Sequence, residues 1–500
     1  MSGMKTYPTA RPQPGMLYWH AALVLAAGTG VGLLYTVRPT YAVGLGVLLL
    51  LMAILGRIWA NVQLYALGLI GISLAGYAFL GKGYAYVGVP PLFIGEVTLV
   101  LGLLATLKSV AEGVRLTRVG GLLLALGVFM AISLSSTLPY IGRYGLDSLR
   151  DAATWYYALF AVVVPILIVR FRALGAAIRR YGQILPCFLL LAPIVFWISR
   201  LLLTSLPKWP ISGQAIVEVK GGDLAVQLAG IMVFLLLGLQ RVRATPTEPA
   251  VGRRMLDGSS PWWWWVLWMV SSVGLFTGRA ALISIAVPLL LVLVVRPLSR
   301  WGRPLLVVVS LFSLLLVVNP RYETSTGREL SIDGLLLNIQ SIGGGTGDSA
   351  VDGTRTWRLD WWHKIEEYTI GGDYFWTGKG YGINLANADG FQVQSDQSLR
   401  NPHSIHFSIL ARSGVPGLVS WAVLNIVFAG SLLLAFVRAR VRGHLMWANV
   451  HLWLLAYWLA FIINGSFDVF IEGPQGGIWF WSVMGFGIAA LELYRRGEEL

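Results

Sequence analysis

The sequence predicts an all-α polytopic membrane protein with about fourteen spanning helices, in a range of about 12–14, and one large extracytoplasmic loop that carries short helices. Three observations carry this expectation. Of 500 residues, 56% are hydrophobic and only 12% charged, and the mean hydropathy is +0.68, beyond the range of an ordinary soluble domain. The apolar residues come in continuous runs suited to spans of about 20 residues, whereas a membrane strand would alternate every second residue. The polar connections are short, except for one stretch from about Asn319 to about Pro402.

In chain order the spans begin near Leu17, Tyr41, Val62, Leu92, Val119, Ala153, Gln183, Asp223, Trp262, Ala280, Pro304, Gly414, Leu445 and Gly477. The first run follows Lys5 and Arg11 and lacks a small-residue cleavage site, so it reads as a retained helix. Residues 1–318 hold helices 1–11, 319–413 form the large loop with the candidate catalytic motif, and 414–500 hold helices 12–14. The lone cysteine, Cys187, sits in an apolar run and reads as packing.

Formal net charge is +14, and the basic residues favour one alternate set of loops, among them Arg57, Lys108, Arg170, Arg179, Arg241, Arg296, Arg438 and Arg495. By the positive-inside rule that set is cytoplasmic, which puts both termini inside. Topology and attraction to anionic head groups account for most of this charge. A nucleic-acid partner is excluded, because no soluble basic face exists to hold it. The tryptophan run starting at Pro261 falls at the cytoplasmic end of its helix and reads as an aromatic belt.

The opposite set of loops holds basic residues that topology does not demand: Arg143, Arg150, Arg279, Arg355, Arg358, Arg400 and Arg412. Arg279 lies between two apolar runs with almost no loop, at the membrane boundary. An arginine there is costly unless it snorkels or has a partner or a task. In the large loop, "SIGGGTGDSAVDGTR" is turn-rich. Trp357, Trp361, Trp362 and Ile365 then recur at helical spacing, as for an amphipathic helix lying at the membrane interface. Gly378, Gly380 and Gly382 make a glycine-rich turn that follows no βαβ strand and lacks the Walker lysine spacing, so it is no nucleotide site. A tight turn with amides available to an anion is the expectation.

After this turn come His403, Ser404, nine further residues, Gly414 and Gly417. With Arg279 in "TGRAAL", Arg358 in "WRLDWW" and the "GKGYG" turn, this order resembles the O-antigen ligase and polymerase superfamily, whose signature is His-[Asn/Ser/Gln]-x9-Gly-x-x-Gly. The resemblance covers about 262–418. It implies a metal-independent, cofactor-free glycosyltransferase at the extracytoplasmic face of the bacterial inner membrane. The donor would be an undecaprenyl diphosphate-linked glycan, and the acceptor the lipid A core for a ligase or a growing glycan for a polymerase. The resemblance puts the family's essential histidine on His403, its arginine after the ninth helix on Arg279, and its loop arginine on Arg358 or Arg355.

The residue chemistry agrees with this. A hydroxyl acceptor needs a base titrating near neutrality, and imidazole does so at about 6.5. Arginine forks match the oxygens of a departing diphosphate, so Arg400 and Arg412 join Arg279, Arg358 and Arg355 as donor-binding candidates, with Arg143 and Arg150 as secondary ones. His406 shares a helical face with His403. Zinc takes three or four protein ligands, however, and His363 brings no companion motif, so no metal is expected and His406 packs against or orients His403. Asp468 and Glu472, in the last extracytoplasmic loop, could orient His403 or bind acceptor hydroxyls. Ordinary solvated carboxylates are the alternative. The rival from another class is a lipid-linked oligosaccharide transporter or flippase, which would place its site near the midplane, often between internal repeats. No such repeat stands out, and the polar residues gather outside.

Overall fold

Helices dominate the residues described by the computed structural model: 39–241, 262–272, 278–295 and 349–500, with scattered positions between 302 and 330. Two compact units divide the chain, Met1–Tyr65 and Ala66–Leu500, and the candidate site belongs to the second. Among the described residues, seven helices are long and apolar enough to cross a membrane, or eight if Gly120–Ser135 and Leu138–Tyr144, bent by 40° at their junction, form one span. Two shorter apolar helices, Gly221–Leu236 and Arg279–Val295, accompany them.

The expected count of about fourteen is therefore not reached among these residues. Part of the difference is local chemistry. The span expected near Val62 is Trp59–Leu80, and no helix break separates it from the one expected near Tyr41, both lying in the helix Pro39–Leu80. Arg57 and Asn61 interrupt its hydropathy but not its backbone, and the Asn61 amide returns to the Arg57 carbonyl at 3.2 Å. The expected spans near Leu17 and Pro304, and the opening of the large loop, fall outside the continuously described residues.

In chain order the principal helices of the second unit are α1 (Ile94–Ala111), α2 (Gly120–Ser135), α3 (Leu138–Tyr144), α4 (Leu146–Tyr156), α5 (Phe160–Phe171), α6 (Leu174–Leu201), α7 (Gly221–Leu236), α8 (Trp262–Ser271), α9 (Arg279–Val295), α10 (Ser349–Thr369), α11 (Ile405–Val441), α12 (Leu445–Phe467) and α13 (Pro474–Arg495). The bundle centres on α13, almost all of whose residues are buried and which packs along α5. Gly485 permits that approach, since a Cβ there would meet Val164 at 2.8 Å. Of the α8 tryptophans, Trp264, Trp265 and Trp268 are buried. The Trp268 indole donates to the Leu228 carbonyl at 2.9 Å, so this run is as much core as belt.

One set of helix ends carries a row of arginines. Arg170, Arg172, Arg438, Arg440, Arg442, Arg495 and Arg496 lie where α5, α11 and α13 end. Arg170 pairs there with Glu112 at 3.0 Å, and Arg172 with Glu498 at 3.5 Å. Glu492 is fully buried near the same end. It accepts from the Thr117 and Arg118 amides at 3.0 and 2.8 Å and from Arg496 at 2.7 Å, so its charge is satisfied rather than stranded. The opposite end, the site end, is where α7 and α11 begin and α12 finishes, and it carries the loop segment.

The expected boundary at 413/414 coincides with a break in the helix that follows the large loop. α11 starts at Ile405 and continues to Val441, with a kink at Gly414 (φ 67°, ψ −167°). That backbone conformation is essentially restricted to glycine. A Cβ at Gly414 would lie 2.4 Å from the Phe375 carbonyl oxygen.

Candidate active site at the site end of the bundle

The kink builds the site. A broken helix frees carbonyls from their usual i→i−4 partners, and buried carbonyls must find donors elsewhere. Here the Lys379 amide donates to Ala411 at 2.7 Å and the Gly380 amide to Arg412 at 3.0 Å, while the Val415 amide donates to Phe375 at 2.8 Å. The glycine-rich turn therefore spends these amides on the kinked helix, not on an anion, which corrects that expectation. Its glycines are required for contact: a Cβ at Gly378 would sit 2.3 Å from the Arg412 carbonyl carbon.

α10 is the helix that the tryptophan spacing predicts, but its apolar face is turned into protein rather than laid on a membrane. Trp361 and Ile365 are fully buried in a cluster with Leu385, Ala386, Leu410 and Ala411. Asp389 ties this cluster to the glycine turn, accepting from the Trp361 indole at 2.8 Å and pairing with Lys379. The exposed face of α10 carries His363 beside Glu366 and Glu367, at 3.7 and 3.6 Å.

Docked in this way, α10 grips the residues around His403. The Trp362 indole donates to the Pro402 carbonyl at 2.8 Å, and the Trp357 ring meets the His403 ring edge-on at 5.9 Å. His403 itself has φ +55°, unusual for a residue with a Cβ although histidine tolerates it better than most. Ser404 follows as the N-cap of α11, so the imidazole leaves the chain just before the helix begins.

His403 Nδ1 lies 3.3 Å from Asp468 Oδ1. Burial opposes ionisation of Asp468, but Lys220, His403 and Arg358 together outweigh it and hold the carboxyl well below the usual carboxylate range. An ionised carboxylate only accepts, so Nδ1 carries the proton, which in the neutral ring leaves the lone pair on Nε2. Arg358 reaches the same corner, with Nη1 donating to the Phe467 carbonyl at 2.7 Å. Lys220, just before α7, lies 3.8 Å from Asp468 Oδ1. Arg279 is the half-buried first residue of α9, which packs against α7 and α12, the helices bearing Lys220 and Asp468 at their site ends.

His406 is engaged elsewhere. The Trp421 indole donates to its Nδ1 at 3.1 Å, and Nε2 is 2.9 Å from Ser466 Oγ. With Nδ1 accepting, Nε2 carries the proton, so both ring nitrogens are occupied in packing α11 onto α12. Glu472 is buried, with Ser408 Oγ donating to it at 2.9 Å and the Phe470 amide at 3.1 Å. Burial pushes its carboxyl up to about 7, against those hydrogen bonds.

Arg400 and Arg412 form a second group around a residue that sequence reasoning missed. Asp151, in α4, accepts from Arg400 Nε and Nη2 at 3.1 and 2.9 Å and pairs with Arg412 Nη1 at 3.0 Å. Arg412 is 1% exposed. It also donates to Asn401 Oδ1 at 3.0 Å, and the Gly382 amide donates to Asp151 at 3.0 Å. These guanidinium groups thus lock the glycine turn and the start of α11 to α4. Arg143, Arg150 and Arg355 are exposed, Arg143 lying over the Tyr144 ring at 5.2 Å.

Lys220 was the other omission. It precedes Gly221, Gly222 and Asp223 at the start of an apolar run, on the sparsely basic face, where the counting that singled out Arg279 would also have found it.

Two histidines, one with an ionised carboxylate behind it and an open nitrogen, stand among cations at one end of an apolar bundle, an arrangement suited to deprotonating a hydroxyl beside an anionic group. No curated protein matches the chain. Residues 264–422 match the family model described as O-antigen ligase, a span that includes Arg279, Arg358, His403, Gly414 and Gly417, and this match supports membership of the chain in the O-antigen ligase superfamily.

Proposed function

We propose that the protein is a metal-independent membrane glycosyltransferase, transferring a glycan from an undecaprenyl diphosphate-linked donor to an acceptor hydroxyl at the extracytoplasmic face of the bacterial inner membrane. The observation that carries the reading is the His403–Asp468 pair, 3.3 Å apart and flanked by Arg358. In this reaction His403 Nε2 takes the proton of the acceptor hydroxyl as its oxygen bonds to the anomeric carbon of the donor. The bond from that carbon to the diphosphate breaks, and the diphosphate leaves with the electron pair. Arg358 and Arg279 meet the charge that develops on its oxygens. Arg355, exposed one turn before Arg358, is available to the donor from solvent. The basic end of the bundle is then cytoplasmic, by the positive-inside rule.

A ligase hands the glycan to lipid A core, and a polymerase hands it to another carrier-linked glycan. Both use this chemistry. Purified protein incubated with lipid-linked repeat unit, with and without lipid A core, separates them: a single core-dependent band identifies a ligase and a ladder a polymerase. His403→Ala, together with His403→Asn, which tolerates the left-handed backbone better, should abolish product while leaving insertion intact. Normal transfer by both variants removes His403 as base. Movement of intact carrier-linked glycan across liposomes, with no new glycosidic bond, would instead identify a transporter.

A further inference from the structure

Lys220 stands at the N-terminus of α7, where the helix dipole disfavours a cation. Its placement is explained by what it faces. Its Nζ is 3.8 Å from Asp468 Oδ1, the same oxygen that lies 3.3 Å from His403 Nδ1. A glycine at 222 lets the start of α7 come close to the end of α12: a Cβ at Gly222 would sit 2.6 Å from Oδ1 of Asn464, one turn before Asp468. Asn464 is fully buried, and its side-chain amide has no hydrogen-bond partner among the described residues. The space over Gly222 is therefore filled by a polar group that makes no bond there, at the join between the two helix ends.

We propose that Lys220 is a positioning residue for the transfer reaction: its ammonium anchors the Asp468 carboxylate so that Oδ1 receives the Nδ1 proton of His403 and Nε2 faces the acceptor. The proposal rests on the glycosyltransferase reading and assigns that site a member from outside the segment matched to the family. Asp468 is bordered by Lys220 from the α7 end, His403 from the start of α11 and Arg358 from α10, with the acidic Asp223 and Glu472 beyond them. Lys220 in turn feels Asp468 most strongly, then Asp223, Glu218 and Arg200. Lys220 is the first of the groups that hold Asp468 low. Without it, protonation of Asp468 begins at higher pH, and a protonated carboxyl no longer fixes the imidazole.

The test measures transfer rates against pH for the full-length protein in detergent, with lipid-linked glycan extracted from the producing cells as donor. Lys220→Met should lower kcat about tenfold or more while donor KM stays within about twofold, and the acidic limb of the profile should move toward neutrality. Lys220→Arg should recover most of the rate. In an Asp468→Asn background, Lys220→Met should add little further loss, because the group it anchors is already neutral. Unchanged kcat and acidic limb in Lys220→Met overturn the proposal. So does a loss that is equal at every pH and not recovered by arginine. If Lys220→Met does not accumulate, Lys220→Gln is read by the same criteria. His403→Asn distinguishes the two levels: if it is inactive while Lys220→Met is normal, the role of Lys220 falls alone, and if it is active the parent reading falls.

Discussion

Asp151 offers the sharpest way to ask whether Arg400 and Arg412 hold the protein together or hold its donor. The substitution Asp151→Asn keeps the shape of the side chain and removes its charge. It leaves two guanidinium groups on a neutral amide, one of them on a side chain that is 1% exposed. Removing one partner of a buried ion pair costs about 3–5 kcal/mol. Arg400 retains some solvent contact and a second carboxylate, Asp147, at 3.5 Å, while Arg412 keeps Asn401. The lower end of that range, about 3 kcal/mol, is therefore the expectation. In a chain of 500 residues that corresponds to a fall in Tm of roughly 3 °C, read by tryptophan fluorescence on the detergent-purified protein. Adding Arg412→Met to Asp151→Asn should restore part of the loss, because it removes a stranded charge along with its partner. If Asp151→Asn melts within about 1 °C of the parent while donor KM rises, the arginines serve the ligand and the structural account is refuted.

Three other outcomes follow from the same geometry. Asp468→Asn removes a charge-assisted hydrogen bond worth about 1.5–3 kcal/mol, so kcat should fall about 10- to 100-fold, and a rate within twofold of the parent would exclude Asp468 as the group orienting His403. Gly414→Ala forces a Cβ to 2.4 Å from the Phe375 oxygen at a positive φ, so it should destabilise by at least about 2 kcal/mol; an unchanged melting temperature would mean that the kink relaxes freely. For Glu472, burial raises the folded-state pKa to about 7, so its contribution to stability is fully present in acid, below its unfolded value, and is lost as pH rises through about 7. Tm should accordingly decline from pH 5 to pH 8 in the parent and less in Glu472→Gln, and equal slopes would contradict this.

The sequence made the membrane class, the helix over the tryptophan repeat and the histidine with its following glycines legible, because each rests on composition or short-range spacing. What it did not show is long-range pairing. Asp151 lies 249 positions from Arg400, and no local pattern links them. Asp151, in the polar stretch "LDSLRDA", and two arginines far along the chain give no sign of one another until the fold pairs them. The glycine turn was misread for the same reason: amides free in the sequence are claimed by carbonyls that only the kink exposes. Lys220 lay within reach of charge reasoning, but its meaning depends on Gly222 fitting under Asn464, a contact set by how two helices cross.

The spacing from His403 to Gly414 and Gly417 has a mechanical basis. The helical stretch from Ile405 to the kink is about 14 Å long at 1.5 Å per residue, which fixes how far the freed carbonyls of Ala411 and Arg412 lie from the imidazole. Those carbonyls seat the glycine turn, whose Lys379 pairs with Asp389. Asp389 receives the Trp361 indole, on the helix that carries Arg358 and places Trp357 and Trp362 around His403 and Pro402. One residue more or fewer would rotate the kink by about 100° around the helix. The turn would then dock on a different face, carrying α10 and its arginine away from His403. The interval between the histidine and the first glycine therefore acts as a ruler for the distance between His403 and Arg358, and, on the proposed function, an alanine inserted between Ile409 and Leu410 should abolish transfer more completely than Arg358→Ala. Retained transfer in the insertion variant would show that the kink and the site are independent.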